Sequence, residues 1–215
     1  MRPAGVLFDC DGVIVDSEGA AIAIMQDEAR AHGIEMSADE IRRRFVGGTI
    51  QSTHAELRRL GMPLDGDWVD RFYERLYASL AAGTALIDGI EDLLDSLDAA
   101  GIPYAIGSNG RMTKMEITLG QHPALMARFG DRIFSGQDMG CPKPDPALWL
   151  HCAGALGLPP ESCAVIDDSP SGVLGAVRAG IPVFGFAEHD DGAALADLGA
   201  RVFHRMGDLR ALWGL

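Results

Sequence analysis

From Gly83 to the C-terminus the chain alternates short apolar runs with helix-patterned segments, and this repetition narrows the fold more than any other feature. A helix is expected over residues 89–100, stopped by Gly101, and it leads into an apolar strand at 103–107. Further strands are expected at 132–135, 163–167 and 182–186, with a weaker one at 201–203, and helices between them at 146–156 and 172–179. Repeated βα units of this kind give a doubly wound, mainly parallel α/β sheet of the Rossmann-like sort. The functional groups of such a sheet gather beyond the carboxyl ends of its strands.

The segment before Gly83 reads differently. Residues 17–82 look helical throughout, which marks an inserted module. Ala20, Ala21, Ile24, Met25 and Ala29 keep helical spacing up to Gly33, and Ser37 with Glu40 matches a capping box for a second helix. A third helix is expected over 51–60, stopped by Gly61 and Pro63, and Asp67 is placed to cap a fourth. In that fourth helix Trp68, Phe72, Leu76 and Leu80 recur every four residues, a stripe read as core packing. The expected organisation is therefore 1–15 as the start of the α/β core, 16–82 as a helical cap, and 83–215 as the rest of the core, with hinges near 15–17 and 81–84.

The first strand carries the most chemistry. Residues 6–18 read VLFDCDGVIVDSE, an apolar run delivering Asp9 and Asp11 into a turn at Gly12. Residues i and i+2 of a strand share a face, so two carboxylates converge at the sheet edge, which is costly unless a cation or proton is shared. One reading is a nucleophilic carboxylate beside a general acid, with a divalent metal neutralising the charge. The other is a solvated turn, since Asp and Gly are common there.

Three further polar clusters fall where the sheet rule requires. Ser108-Asn109-Gly110 follows a strand and precedes a helix, so a hydroxyl, an amide and backbone donors can cradle an anion; a plain helix cap competes. Lys143, in CPKPDPALW, sits between prolines before a helix and can neutralise a phosphoryl oxygen or a nucleophile. Asp167 and Asp168 end an apolar strand, and their hard oxygens suit magnesium, although Asp and Ser also cap helices. Four clusters in this order favour a catalytic sheet edge over four separate caps.

Composition removes other classes. With 47% hydrophobic residues and no low-complexity tract, the chain is globular. A formal charge of −13 without basic patches argues against nucleic acid and anionic membrane as partners. Of its 18 cations only Lys114 and Lys143 are lysines, which singles both out. Cys10, Cys141, Cys152 and Cys163 form no CxxC pair and are read as reduced cytosolic thiols. The N-terminal apolar run, broken by Asp9 and Asp11, is neither a signal peptide nor a membrane span. A cytoplasmic monomer is the default.

Taken together, FDCDGVIVDSE, SNG, KPDPALW and VIDDSPSGVLGAVRAGIPVFGF resemble, in order and spacing, the motifs of the haloacid dehalogenase-like superfamily. The likeness spans essentially the whole chain. It is strongest to the phosphatase and phosphohexomutase branch with a small helical cap after the first motif, and within it to bacterial sugar-phosphate phosphatases of the 6-phosphogluconate phosphatase type. The resemblance implies that Asp9 attacks phosphorus to form an aspartyl phosphate, while Asp11 protonates the leaving oxygen and then activates water. It implies magnesium held by Asp9, the Asp11 carbonyl and Asp168, with Asp167 in support, and a phosphoryl group bound by Ser108, Asn109 and Lys143. Gly47, Gly48 and Thr49 resemble the cap's specificity loop, with a plain interhelical turn as the alternative.

Departures within the superfamily select the reaction. Dehalogenases do not need Asp11, and phosphonatases use a cap lysine that residues 16–82 lack. The β-phosphoglucomutases carry a histidine and a cap-loop arginine where Ala21 and Ile50 stand here, although Arg42, Arg43, Arg44 or Arg75 could substitute. Hydrolysis of a small sugar or sugar-acid phosphate is expected over mutase chemistry. A phospho-accepting signalling module also combines acids, a hydroxyl and a lysine on a parallel sheet, but it lacks the second aspartate and the cap.

Overall fold

The computed structural model describes residues 2–45 and 49–215. In chain order its elements are β1 (Gly5–Phe8), β2 (Val15–Asp16), α1 (Glu18–Ala31), α2 (Ala38–Phe45), α3 (Ile50–Arg59), α4 (Trp68–Ala81), β3 (Ala85–Leu86) and α5 (Ile90–Ala99). There follow β4 (Tyr104–Ser108), α6 (Met112–Leu119), α7 (Pro123–Phe129), β5 (Ile133–Ser135), α8 (Ala147–Ala155), a 3₁₀ turn at Pro160–Ser162 and β6 (Cys163–Asp167). The chain closes with α9 (Pro170–Arg178), β7 (Val183–Phe186), α10 (Ala193–Asp197), β8 (Arg201–Phe203) and α11 (Met206–Trp213).

Six strands form one sheet in the order β5-β4-β1-β6-β7-β8, every pair parallel. The chain moves outward from β1 through β4 to β5, then returns to lay β6 on the other side of β1. That reversal is the switch point of a doubly wound sheet, where a crevice opens beyond the strand ends. Strand periodicity divides the core: Val6, Phe8, Ile106 and Ile166 pack on one face, while Leu7, Ala105 and Val165 pack on the other. Both faces are covered by helices, so β1 reads as a continuous apolar run, and all four of its residues are buried.

The four helices α1–α4 pack around a cluster of their own, built on Ile22, Met25, Ile41, Leu57 and the stripe Trp68, Phe72, Leu76 and Leu80. Two corrections apply to the expected caps. Ser37 accepts from the Glu40 amide at 3.2 Å, but the Glu40 carboxylate turns to Arg44 instead of completing the box. Asp67 makes no side-chain cap on α4; the preceding Asp65 carboxylate accepts from the Asp67 and Trp68 amides, so the cap lies two residues earlier.

A short antiparallel pair, unforeseen in the sequence, ties the two chain crossings between the sheet and this helical segment. Val15 pairs with Leu86 and Asp16 with Ala85. All four cysteines are free thiols. Among the described residues no helix is long and apolar enough to cross a membrane.

Candidate active site

The site is built at the switch point. The Asp9 amide donates to the Ile166 carbonyl at 2.8 Å, extending the β1–β6 register one residue past the strand and fixing the Asp9 carboxylate over the crevice. The chain then folds back on itself, with the Ile14 and Val15 amides both donating to the Cys10 carbonyl. Gly12 takes φ 76°, and a Cβ on it would overlap the Asp168 carboxylate, so both the turn and the approach of β6's loop require glycine there.

Lys143 lies in the loop before α8 and is buried, its ammonium 2.5 Å from Asp9 Oδ1 and 2.7 Å from Asp167 Oδ2, with the Trp149 ring 4.3 Å beneath it. Burial pushes this ammonium down, but Asp167 and Asp9 outweigh burial and hold it above the ordinary lysine range. Asp9 moves the other way: burial lifts it from 3.8 to about 7 against the pull of Lys143, with Asp167 and Asp11 adding to the rise.

The second aspartate stands apart from this pair. Asp11 Oδ1 accepts from Lys114 Nζ at 2.6 Å and from the Ser17 hydroxyl, and its Oδ2 lies 3.4 Å from Ser108 Oγ. Burial pushes the Asp11 carboxyl up, yet Lys114 and the hydroxyl bond from Ser17 outweigh it and leave it below the usual carboxylate range. Two acids two residues apart thus occupy electrostatically opposite environments, as two groups with different roles require.

Ser108 ends β4 rather than following it, and its hydroxyl accepts from the Gly110 amide at 2.9 Å. Asn109 departs from its expected place on a phosphoryl group. Its amide carbonyl accepts from the Lys143 backbone N–H at 2.7 Å and its NH₂ donates to the Lys143 carbonyl at 3.2 Å. Both ends of that side chain are spent on holding Lys143, so Asn109 is placed to orient the lysine.

Asp167 is fully buried, with Oδ1 accepting from the amide and the hydroxyl of Ser169 at 2.8 and 2.7 Å. A Cβ on Gly172 would collide with this carboxylate, so the first turn of α9 closes over Asp167 only with glycine there. Asp9, Asp167 and Asp168 each offer an oxygen, all within 4.8 Å of one another. Burial, then the charges of Asp9, Glu18 and Asp167, push Asp168 well above the carboxylate range. Asp168 and Glu18 are hydrogen-bonded, and two carboxyls bond only by sharing a proton. Crowded hard oxygens with one lysine among them fit a small divalent cation, which would take the place of that proton.

A cavity of about 120 Å³ opens over these groups, walled on its far side by α1 and α4 and the start of α3. Thr49 lines it while its hydroxyl caps α3, accepting from the Ser52 amide at 3.2 Å. Gly48, with Gly47, lies outside the described residues. Ala21 and Ile50 also face the cavity. Of the arginines that could stand in for a mutase arginine, Arg42 pairs with Glu18 and Asp39, Arg44 with Glu40, and Arg75 with Glu28 and Asp27. Sequence reasoning missed three participants: Glu18, Gln137, and the pairing of Lys114 with Asp11. For Lys114 the signal existed in its rarity; for Glu18 it lay in the quoted run DSE; for Gln137 there was none.

Comparison with known proteins agrees with this geometry. Residues 3–180 match the haloacid dehalogenase-like hydrolase family. The 6-phosphogluconate phosphatase of Escherichia coli (strain K12) is 30% identical over 215 residues, 99% of this chain and 95% of that protein. Hexitol phosphatase A of the same organism is 29% identical over 194 residues, 85% of this chain and 82% of its own. A haloacid dehalogenase family hydrolase from Deinococcus radiodurans R1, solved with bound phosphate and sodium, superposes with a TM-score of 0.81 at 33% identity, covering 98% of this chain and 95% of that one. With a match that runs from the first strand to the end of α9, and phosphatases among the relatives that share most of its length, the chain belongs to the haloacid dehalogenase-like hydrolase family, among its phosphoric monoester hydrolases.

Proposed function

We propose that this protein is a magnesium-dependent phosphatase that hydrolyses a small sugar or sugar-acid phosphate through an aspartyl phosphate on Asp9. The observation that carries the reading is the division of the two aspartates: Asp9 sits with Lys143 in the acidic cluster, and Asp11 stands 2.6 Å from Lys114 with its side chain outside that cluster. A nucleophile needs neighbours that cancel its repulsion for phosphate, and a proton carrier needs a side chain that no metal monopolises.

In the first half-reaction an Asp9 oxygen bonds to phosphorus as the ester P–O bond breaks, and the Asp11 carboxyl gives its proton to the departing alkoxide. In the second, the Asp11 carboxylate takes a proton from water, whose oxygen bonds to phosphorus while the acyl-phosphate bond breaks, returning Asp9 and releasing phosphate. Lys143 offsets charge on the transferring group, Ser108 offers it a hydroxyl, and Asn109 keeps the lysine in line. Asp9 and Asp168, with the Asp11 carbonyl and the support of Asp167, would hold magnesium. That ion supplies charge neutralisation between carboxylate and phosphate. Residues 16–82 act in this reading as a cap that excludes water, set over a core formed by 1–15 and 83–215, and the enzyme works as a cytoplasmic monomer.

Hydrolysis is favoured over phosphohexomutase chemistry because Ala21 and Ile50 line the cavity and the arginines Arg42, Arg44 and Arg75 are engaged elsewhere. The test is phosphate release from sugar, sugar-acid and nucleotide monophosphates, with magnesium or EDTA, beside Asp9→Asn. Turnover that needs both magnesium and Asp9 supports the reading; undiminished turnover in folded Asp9→Asn removes Asp9 as nucleophile.

A further inference from the structure

We infer that the cap-side half of the cavity is a subsite for an uncharged, polyhydroxylated tail, so that the preferred substrate is the phosphate ester of a neutral polyol or sugar rather than of a sugar acid. This rests on the phosphatase reading above and narrows its substrate class.

Charge sets the limit. Among the described residues the cavity is lined by four carboxylates, Asp9, Asp11, Glu18 and Asp168, and by two cations, Lys114 and Lys143. Both lysines stand on the core side, and both are engaged, Lys143 with Asp9 and Asp167 and Lys114 with Asp11. A divalent cation balances the four carboxylates, leaving nothing over for a second anion beyond the transferred phosphate. The wall facing it from the cap is Met25, Phe45, Ile50 and Leu76 with Ala21, all uncharged. The three residues outside the described set, 46–48, are Val, Gly and Gly and add no ionisable side chain. Arg111, nearest of the remaining cations, lies over the Tyr73 ring at 4.8 Å and does not line the cavity. A carboxylate held against this wall loses its hydration without gaining a partner, which costs several kcal/mol.

Hydroxyl groups fare differently. Tyr73 and Gln137 also line the cavity, and they reach across from α4 to the loop after β5, with the Tyr73 hydroxyl donating to Gln137 Oε1 at 3.3 Å. The Gln137 NH₂ donates to Gln51 Oε1 at 3.4 Å. Both bonds are long, and together they present neutral donors and acceptors above an apolar floor, the pattern that recognises hydroxyls on a carbon chain. Exchange of these bonds for bonds to substrate hydroxyls costs little.

Two measurements test the inference. The first is magnesium-supported kcat/KM for hexitol 6-phosphate, hexonate 6-phosphate and p-nitrophenyl phosphate; the hexitol ester should exceed the hexonate ester by about tenfold or more. The second is calorimetric binding of the same hexitol and hexonate esters to Asp9→Asn with magnesium, where the hexitol ester should bind at least about tenfold more tightly. Absence of hydrolysis from every ester defeats the phosphatase reading while the binding measurement still decides the subsite. Equal or tighter binding of the hexonate ester overturns the subsite, as does failure of the hexitol ester to bind. Gln137→Lys, which brings a cation to the subsite, should move the binding ratio toward the hexonate by about tenfold. An unchanged ratio overturns the placement of Gln137 in it.

Discussion

Lys143→Met removes one buried ammonium and keeps the length of the side chain over Trp149. In the wild type that ammonium lies 2.5 Å from Asp9 and 2.7 Å from Asp167, and both carboxylates are buried. Removal of one partner from a buried pair costs about 3–5 kcal/mol, and because a single cation here serves two carboxylates the loss should reach the upper end of that range. The cost depends on pH, and its sign follows from the direction in which Asp9 moves. Burial already lifts Asp9 to about 7, and Lys143 is the strongest force pulling it back, so the variant's Asp9 lies higher still. A carboxyl raised in the folded state leaves stability intact below its unfolded pKa of 3.8 and removes it as pH rises through the folded value. The variant therefore loses little near pH 5, where Asp9 carries a proton, and loses most near pH 8. Urea unfolding of metal-free protein, followed by tryptophan fluorescence at both pH values, reads the difference. A loss below about 1 kcal/mol at the higher pH, or an equal loss at both, refutes the claim that Lys143 holds this cluster together.

Other outcomes follow from the same geometry. Asp11→Asn should lower turnover by about 10²-fold or more with the fold retained, since neither proton transfer then has a carrier; near wild-type turnover contradicts its role. Lys114→Met should move the alkaline limb of the kcat/KM profile to higher pH, because the Asp11 carboxyl loses the cation that keeps it below its usual range; an unmoved limb excludes that control. Gly172→Ala should destabilise by about 1–3 kcal/mol because its methyl overlaps Asp167, whereas Gly154→Ala, whose Cβ meets nothing within 4 Å, should gain a few tenths or more. Chemical denaturation separates the pair, and a neutral Gly172→Ala denies the tight closure of α9. Magnesium should raise the melting temperature more near pH 8 than near pH 5, because Asp9 and Asp168 must give up protons to hold it; an equal rise at both pH values counts against their role as ligands.

The sheet was legible because its strands are apolar runs punctuated by polar residues, and β6 and β8 fall where the pattern places them, at 163–167 and 201–203. Asp9, Ser108, Lys143 and the Asp167-Asp168 pair were legible as candidates because each lies at a strand's carboxyl end or in the loop before a helix. What escaped is what a linear pattern cannot carry. The strands β2 and β3 have two residues each, too few for a period. Glu18 reaches Asp168 across 150 residues of chain, and Lys114 reaches Asp11 across 103, distances set only by the packing of α1 and α6 on the sheet edge. Asn109 showed its type but not its partner, since an amide that could cradle an anion could equally hold a backbone.

The antiparallel pair of β2 and β3 gives the molecule a single doorway. The polypeptide leaves the sheet at Asp16 and comes back at Ala85, and these residues are cross-strand neighbours. Everything between them is thus a loop whose ends already touch, and lengthening such a loop costs only the logarithm of its length. The sheet therefore meets the same two anchors whatever the segment between them contains. Selectivity can be rewritten by exchanging that segment as one cassette, while the register that aligns Asp9 with Asp167 stays as it is.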